Sequence, residues 1–197
     1  MIERISKKLT DYLVAKNVIN DDDTTRAYYN YGIEISVSSL LNVTLIIVIG
    51  IVSNHIVESI AFLSVFVPIR QFSGGYHAST YFKCNFLFCV LFVILVGMYE
   101  LTSSSITIVF EIWILLFIEV VFITVCPVEN KNKVLTSELK KKGRMTCIIL
   151  GGIIEVCGII LRFYGLRWGL ILEYTLLLVA ALAVIAKKDD IDRKSVV

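Results

Sequence analysis

The chain has 197 residues, 57% hydrophobic and 18% charged, with a net charge of +2, and its mean hydropathy is +0.80. Soluble domains keep about a quarter of their residues charged, so this composition excludes a soluble globular enzyme, and no nucleic-acid partner is expected. Apolar residues come in blocks of about 14 to 22, the lengths that span a bilayer or fill its core. Two prolines and eleven glycines leave few breaks, and no period-two alternation supports a membrane β-barrel. The expected fold is all-α: a polytopic membrane helical bundle of about six membrane segments, plus an N-terminal amphipathic helix.

In residues 1–30, Ile2, Ile5, Leu9, Tyr12 and Leu13 recur at helical spacing beside Arg4, Lys7, Lys8 and Lys16. That pattern fits a helix lying on the membrane surface, and equally one packed on neighbouring loops. No apolar signal core is present, so no cleaved secretory peptide is expected. Asn20 to Thr24 reads as a loop feeding a helix N-cap. Apolar segments follow at 35–53, 56–69, 85–101, 105–126, 145–161 and 168–186. The segment 56–69 is short for a span and could thin the bilayer or enter only partway. These divisions give an interfacial region 1–30, one transmembrane helical domain over 31–186, and a tail over 187–197.

Charge sets an orientation. Lys and Arg crowd the N-terminal region, the 70–84 segment (Arg70, Lys83), the 127–144 loop and the tail, and are absent around Ser53–His55 and Glu100–Ser105. The positive-inside rule therefore puts both termini and the 70–84 segment on the cytosolic side of a multi-pass cell-membrane protein. Arg162 and Arg167 break the alternation, and snorkelling to headgroups would accommodate them. The five cysteines, Cys84, Cys89, Cys126, Cys147 and Cys157, form no CxxC pair and read as free thiols.

The segment Arg70-Gln71-Phe72-Ser73-Gly74-Gly75-Tyr76-His77-Ala78-Ser79-Thr80-Tyr81-Phe82-Lys83-Cys84 interrupts the apolar pattern. Gly74-Gly75 allows a turn and a close backbone approach. His77 is a candidate general base and Cys84 a candidate nucleophile, because an imidazole lowers the pKa of a neighbouring thiol and the thiolate attacks peptide carbonyls readily. In one continuous helix the two would share a face but stand about 10 Å apart along the axis. A break after His77, with a new helix starting at Ser79 or Thr80, brings them together and leaves Cys84 about one turn in. A histidine near a cysteine also arises without chemistry in apolar segments. The second histidine, His55, falls at the opposite side, so neither a zinc site nor another cofactor is expected.

Glu111, Glu119, Glu155 and Glu173 lie in or beside apolar segments, where carboxylates are costly. Glu119 is a candidate third member that pairs Arg70 or orients His77; a packed structural glutamate is the alternative. Glu34, Glu129, Asn130 and Asn132 are candidates for polar contacts near the site. Trp113, Trp168, Tyr164 and Tyr174 read as interfacial anchors, and Gly151, Gly152 and Gly158 as close-packing positions.

The Arg70…Gly74-Gly75-Tyr76-His77-Ala78…Cys84 segment follows the second apolar segment, and a later loop reads Cys126-Pro127-Val128-Glu129-Asn130-Lys131-Asn132-Lys133. On these features, over nearly its whole length, the chain resembles the accessory gene regulator protein B (AgrB) family of membrane endopeptidases. The resemblance implies a cysteine endopeptidase that cuts the C-terminal part of an AgrD-like quorum-sensing propeptide and promotes thiolactone or lactone cyclisation. Cys84 would be the nucleophile and His77 the base, with Arg70, Gly74 and Gly75 supporting. Family propeptides carry an acidic C-terminal tail, for which Lys140, Lys141, Lys142 and Arg144 form a candidate docking patch; the same charges serve as a topology signal. A homodimer is a further family expectation, and membrane lipid a further partner. A peptide transporter or exporter without proteolytic activity is the alternative, although no inverted repeat is visible; a membrane partner without chemistry is a third.

Overall fold

The structure, a computed structural model, describes residues 2–74, 80–102, 108–128 and 136–195. These form seven helices: α1 Ile2–Ala15, α2 Asp23–Val52, α3 Ile56–Ser73, α4 Tyr81–Leu101, α5 Ile108–Thr124, α6 Ser137–Phe163 and α7 Gly169–Ser195. The protein is thus the expected helical bundle. Five of the helices, α2, α3, α4, α6 and α7, are long and apolar enough to cross a membrane. Each of the six apolar segments maps onto one of α2 to α7, and α5, with 17 residues, reaches roughly 26 Å at 1.5 Å per residue.

Local chemistry sets several boundaries. Asp22 caps α2, its carboxylate accepting from the Thr25 amide at 2.9 Å. That bond holds the Asp22 carboxyl below the usual range. Its place agrees with the loop-to-cap reading of Asn20 to Thr24. The segment 56–69 is not short after all: α3 runs on through Arg70 to Ser73, giving 18 residues. The apolar pattern stops at Ile69 because the last turn is polar, whereas the backbone hydrogen bonds continue.

α7 is the central helix. In its most apolar window 72% of the residues are buried, against 17% for α2. It packs against α3, α4, α5 and α6. Phe62 and Phe66 of α3 interlock with Phe88 and Phe92 of α4, ring centroids lying 4.9–5.4 Å apart. α6 meets α7 where Gly158 faces Gly169; a Cβ on Gly169 would collide with the Gly158 carbonyl. Two glycines allow this approach, as in many membrane helix pairs.

The alternating helices place the α2–α3 and α6–α7 turns, the end of α4 and the start of α5 at one end. There the Arg167 guanidinium lies 4.8 Å from the Tyr99 ring centroid and donates to the Tyr99 and Thr102 carbonyls at 2.9 and 3.1 Å. Arg162 pairs with Glu111 and lies 4.0 Å from Glu173. These two arginines are therefore held by protein partners rather than by snorkelling. Tyr174, read as an interfacial anchor, is instead buried and its hydroxyl lies 2.7 Å from that of Thr102; Trp113, Trp168 and Tyr164 are exposed as anchors should be.

At the other end lie α1, the end of α3, the start of α4, the end of α5, the start of α6 and the last part of α7, whose Lys187 ammonium donates to the Thr124 carbonyl at 3.2 Å. α1 turns its small hydroxyls inward: Ser6 and Thr10 are buried and donate to Glu34 at 3.1 Å and Asn30 at 2.7 Å of α2. Ile5, Leu9 and Tyr12 remain exposed.

Arg162→Met removes the cation shared by Glu111 and Glu173. Breaking a largely buried pair on one side costs roughly 3 kcal/mol, so thermal unfolding in detergent is expected to shift clearly downward. Adding Glu111→Gln to Arg162→Met should recover part of that loss.

Candidate functional site

The last turn of α3 carries Arg70, and the helix stops at Gly74, with φ 65° and ψ −148°. Only glycine adopts that conformation without strain. The Val128 carbonyl occupies the space that a Cβ on Gly74 would need. Gly74 and Val128 form a parallel bridge, and the Val128 amide donates to the Ser73 carbonyl at 2.9 Å. Arg70 folds back to donate from Nη1 to the Gly74 carbonyl at 2.6 Å, placing a cation at the helix C-terminus, where the helix dipole favours it.

α4 begins after Thr80, whose hydroxyl caps the helix by accepting from the Lys83 amide at 3.3 Å. The Cys84 amide makes the first intrahelical bond, to the Thr80 carbonyl, at 3.1 Å. Cys84 thus stands at the end of the first turn, as the break-and-restart reading required. Its thiol is half-buried and feels the Arg70 charge.

A third wall comes from the connection after α5. Arg144 donates from Nε to the Cys126 carbonyl at 3.1 Å. The Cys126 and Cys147 thiols are both buried, and the Arg70 and Arg144 charges act on Cys126. Gly143 sits against the Phe72 carbonyl and Pro127. All five cysteines are free, and Cys126 and Cys147 are sealed from substrate, whereas Cys84 is not.

The fourth wall is α2. Glu34 accepts from the Tyr81 hydroxyl at 2.8 Å, and Ser38 donates to the Asn85 side-chain oxygen at 2.9 Å.

The structure thus brings together Cys84, Arg70 and Gly74. His77 and Gly75, with Glu129, Asn130 and Asn132, lie outside the described residues. Glu119 lies beside Gly151 and Gly152 of α6, and no ion pair between it and Arg70 forms among the described residues; the other reading, that it orients His77, falls on a residue outside them. Lys140, Lys141, Lys142 and Arg144 occupy the first two turns of α6, where Lys141 and Lys142 line an open cleft with Glu138 and Met145. Cations at a helix N-terminus oppose the dipole, so helix stability does not account for them. His55 sits at the far end, near Glu58 and Glu100. Sequence reasoning marked Glu34 for polar contacts but missed its partner Tyr81 and the Ser38–Asn85 bond. The available signal was spacing, since 34/38 and 81/85 are both polar pairs one helical turn apart.

A helical bundle in which five helices are long and apolar enough to cross a membrane, with polar contacts gathered towards its two ends, defines a multi-pass membrane protein. The chain belongs to the accessory gene regulator B (AgrB) family, whose model matches residues 6–186. It is 26% identical to an AgrB-like protein of Clostridium perfringens strain SM101, over 93% of this chain and 88% of that one. It is 27% identical to a second from C. perfringens strain 13, over 86% and 82%. An AgrB-like protein of Listeria monocytogenes strain HCC23 is 23% identical, over 76% and 74%. No solved structure matches. Membership ties the chain to the accessory gene regulator quorum-sensing system.

Gly74→Ala is expected to cost roughly 1–3 kcal/mol from backbone strain, with the collision against Val128 added. A lower melting temperature and faster proteolysis in the 70–84 region would register it, while Gly97→Ala, which meets open space, should leave both unchanged.

Proposed function

We propose that this protein is a membrane cysteine endopeptidase that cuts an AgrD-like propeptide on the C-terminal side of its signal segment. The observation that carries the reading is the placement of Cys84: a half-buried thiol on the first turn of α4, under the Arg70 charge, directly after the segment that holds His77. His77 accepts the Cys84 proton, and the thiolate adds to the scissile carbonyl carbon. The peptide C–N bond breaks as His77 returns the proton to the leaving amine, and the acyl group remains on Cys84 as a thioester. A cysteine thiol within the propeptide then attacks that thioester, closing a thiolactone and restoring Cys84; a serine in its place gives a lactone. One thioester replaces another at little cost, provided water is kept away.

The site end faces the cytosol in this reading. Ile5, Leu9 and Tyr12 of α1 rest in the headgroup layer, and the propeptide reaches the site along that surface. Its acidic tail docks on Lys140, Lys141, Lys142 and Arg144, which explains cations where the α6 dipole disfavours them. The transporter alternative drew on the intramembrane carboxylates. Glu111 and Glu173 are instead met by Arg162, which weakens that motive.

Cys84→Ala and His77→Ala are each expected to abolish propeptide cleavage, read by product mass on co-expression, with normal membrane levels. Cleavage that persists in both variants sinks the peptidase reading. Charge reversal at Lys140, Lys141 and Lys142 is expected to raise KM several-fold with kcat little changed and the effect shrinking at high salt. An unchanged KM with unchanged topology removes the docking role.

A further inference from the structure

The polar contacts between α1, α2 and α4 form two sets of rungs, each set one helical turn apart. Between α1 and α2, Ser6 meets Glu34 and Thr10 meets Asn30. Rising positions on one helix meet falling positions on the other, so the pair is antiparallel. Between α2 and α4, Glu34 meets Tyr81 and Ser38 meets Asn85. Here both rise together, so the pair is parallel. Glu34 belongs to both sets: Oε1 takes the Ser6 hydroxyl and Oε2 takes the Tyr81 hydroxyl.

We infer that Glu34 is a positioning residue for Cys84, holding the first turn of α4 in register through Tyr81 and joining it to the N-terminal helix through Ser6. This rests on the thiol-peptidase reading of Cys84. A single bond between two helices is a pivot. Two bonds a turn apart fix both rotation and axial slide. Cys84 lies between the two tethered residues, three after Tyr81 and one before Asn85, so the tethers set its azimuth. One residue of slip turns a helix by about 100° and would swing the thiol away from Arg70. The opposing wall is equally held, because Arg70 is bonded to the Gly74 carbonyl, and the Ser73–Gly74 backbone is bridged to Val128.

The chemistry of Glu34 suits this task. Hydrogen bonds to an ionised acceptor are shorter and stronger than neutral ones. The carboxylate makes no ion pair among the described residues, and its two oxygens each serve a hydroxyl. Tyr81 presents its hydroxyl to Glu34 while its neighbour Phe82 is exposed, so the tether does not rest on apolar packing alone.

The test uses the full-length protein in liposomes with an AgrD-like propeptide, following single-turnover cleavage and, separately, the alkylation rates of Cys84 and Cys89 by a maleimide, resolved by peptide mass. Tyr81→Phe, which removes one hydroxyl, and Glu34→Ala are each expected to lower the maximal cleavage rate about 10- to 100-fold, the range a misplaced reacting group produces. KM should change little, the Cys84 alkylation rate should change, and that of Cys89 should not. Glu34→Gln should restore most activity, since its amide can accept from Ser6 and donate to Tyr81. Combining Glu34→Ala with Tyr81→Phe should add nothing to the worse single variant. Wild-type rates and unaltered Cys84 alkylation in Tyr81→Phe overturn the inference, as does equal loss in Glu34→Gln and Glu34→Ala. If the unsubstituted protein fails to cleave, the peptidase reading falls; the tether is then judged by alkylation alone, where an unchanged Cys84 in Tyr81→Phe overturns it.

Discussion

A bilayer core supplies no water to a polar group, so each such group must find its partner within the protein. The structure gathers most of its polar contacts at the two ends of the bundle, while Asn42 and Glu155, between the ends, each bury a side-chain oxygen without a hydrogen-bond partner. At one end Arg162 serves Glu111 and Glu173, and Arg167 serves the carbonyls that close α4. At the other, Arg70 serves the end of α3, Arg144 serves Cys126, and Glu34 serves two helices. Between the ends the helices meet through phenylalanine layers and glycine contacts that ask for no hydrogen bond.

The site end works as a corner rather than a cleft cut into a rigid core. The end of α3 and the segment after α5 meet there, pinned by the Gly74–Val128 bridge and the Val128–Ser73 backbone bond, while the Arg144 side chain holds the Cys126 carbonyl. Pinning by backbone leaves side chains free for chemistry. It also places a glycine where the carbonyl of another connection approaches, which gives Gly74 a structural duty beside any role in admitting a substrate backbone. The thiol at Cys84 is thereby held on a helix, with its neighbouring charge on another helix, a firmer arrangement than two residues on one loop.

Much of the fold was legible. Apolar block lengths located the membrane helices, the polar run Asn20 to Thr24 and the pair Ser79 and Thr80 marked helix starts, and the separation of His77 and Cys84 called for a break between them if the two act together. Three readings failed for one shared reason. The reach of α3 beyond Ile69, the holding of Arg162 and Arg167 by protein groups, and the burial of Tyr174 all depend on neighbours distant in sequence. Hydropathy scores a residue by its own side chain. It cannot see that a polar last turn stays helical, or that Thr102 waits beside Tyr174.

The sequence by itself determined that this is a helical membrane protein with a thiol-bearing break after its second apolar segment, because bilayer thickness and capping chemistry act through local composition and spacing. Only the tertiary structure decided which groups surround that thiol. Arg70 comes from α3, Glu34 and Ser38 from α2, and Val128 from a distant connection. Helix packing selects such neighbours through rotation and axial register, and neither is written in the local pattern of any one helix.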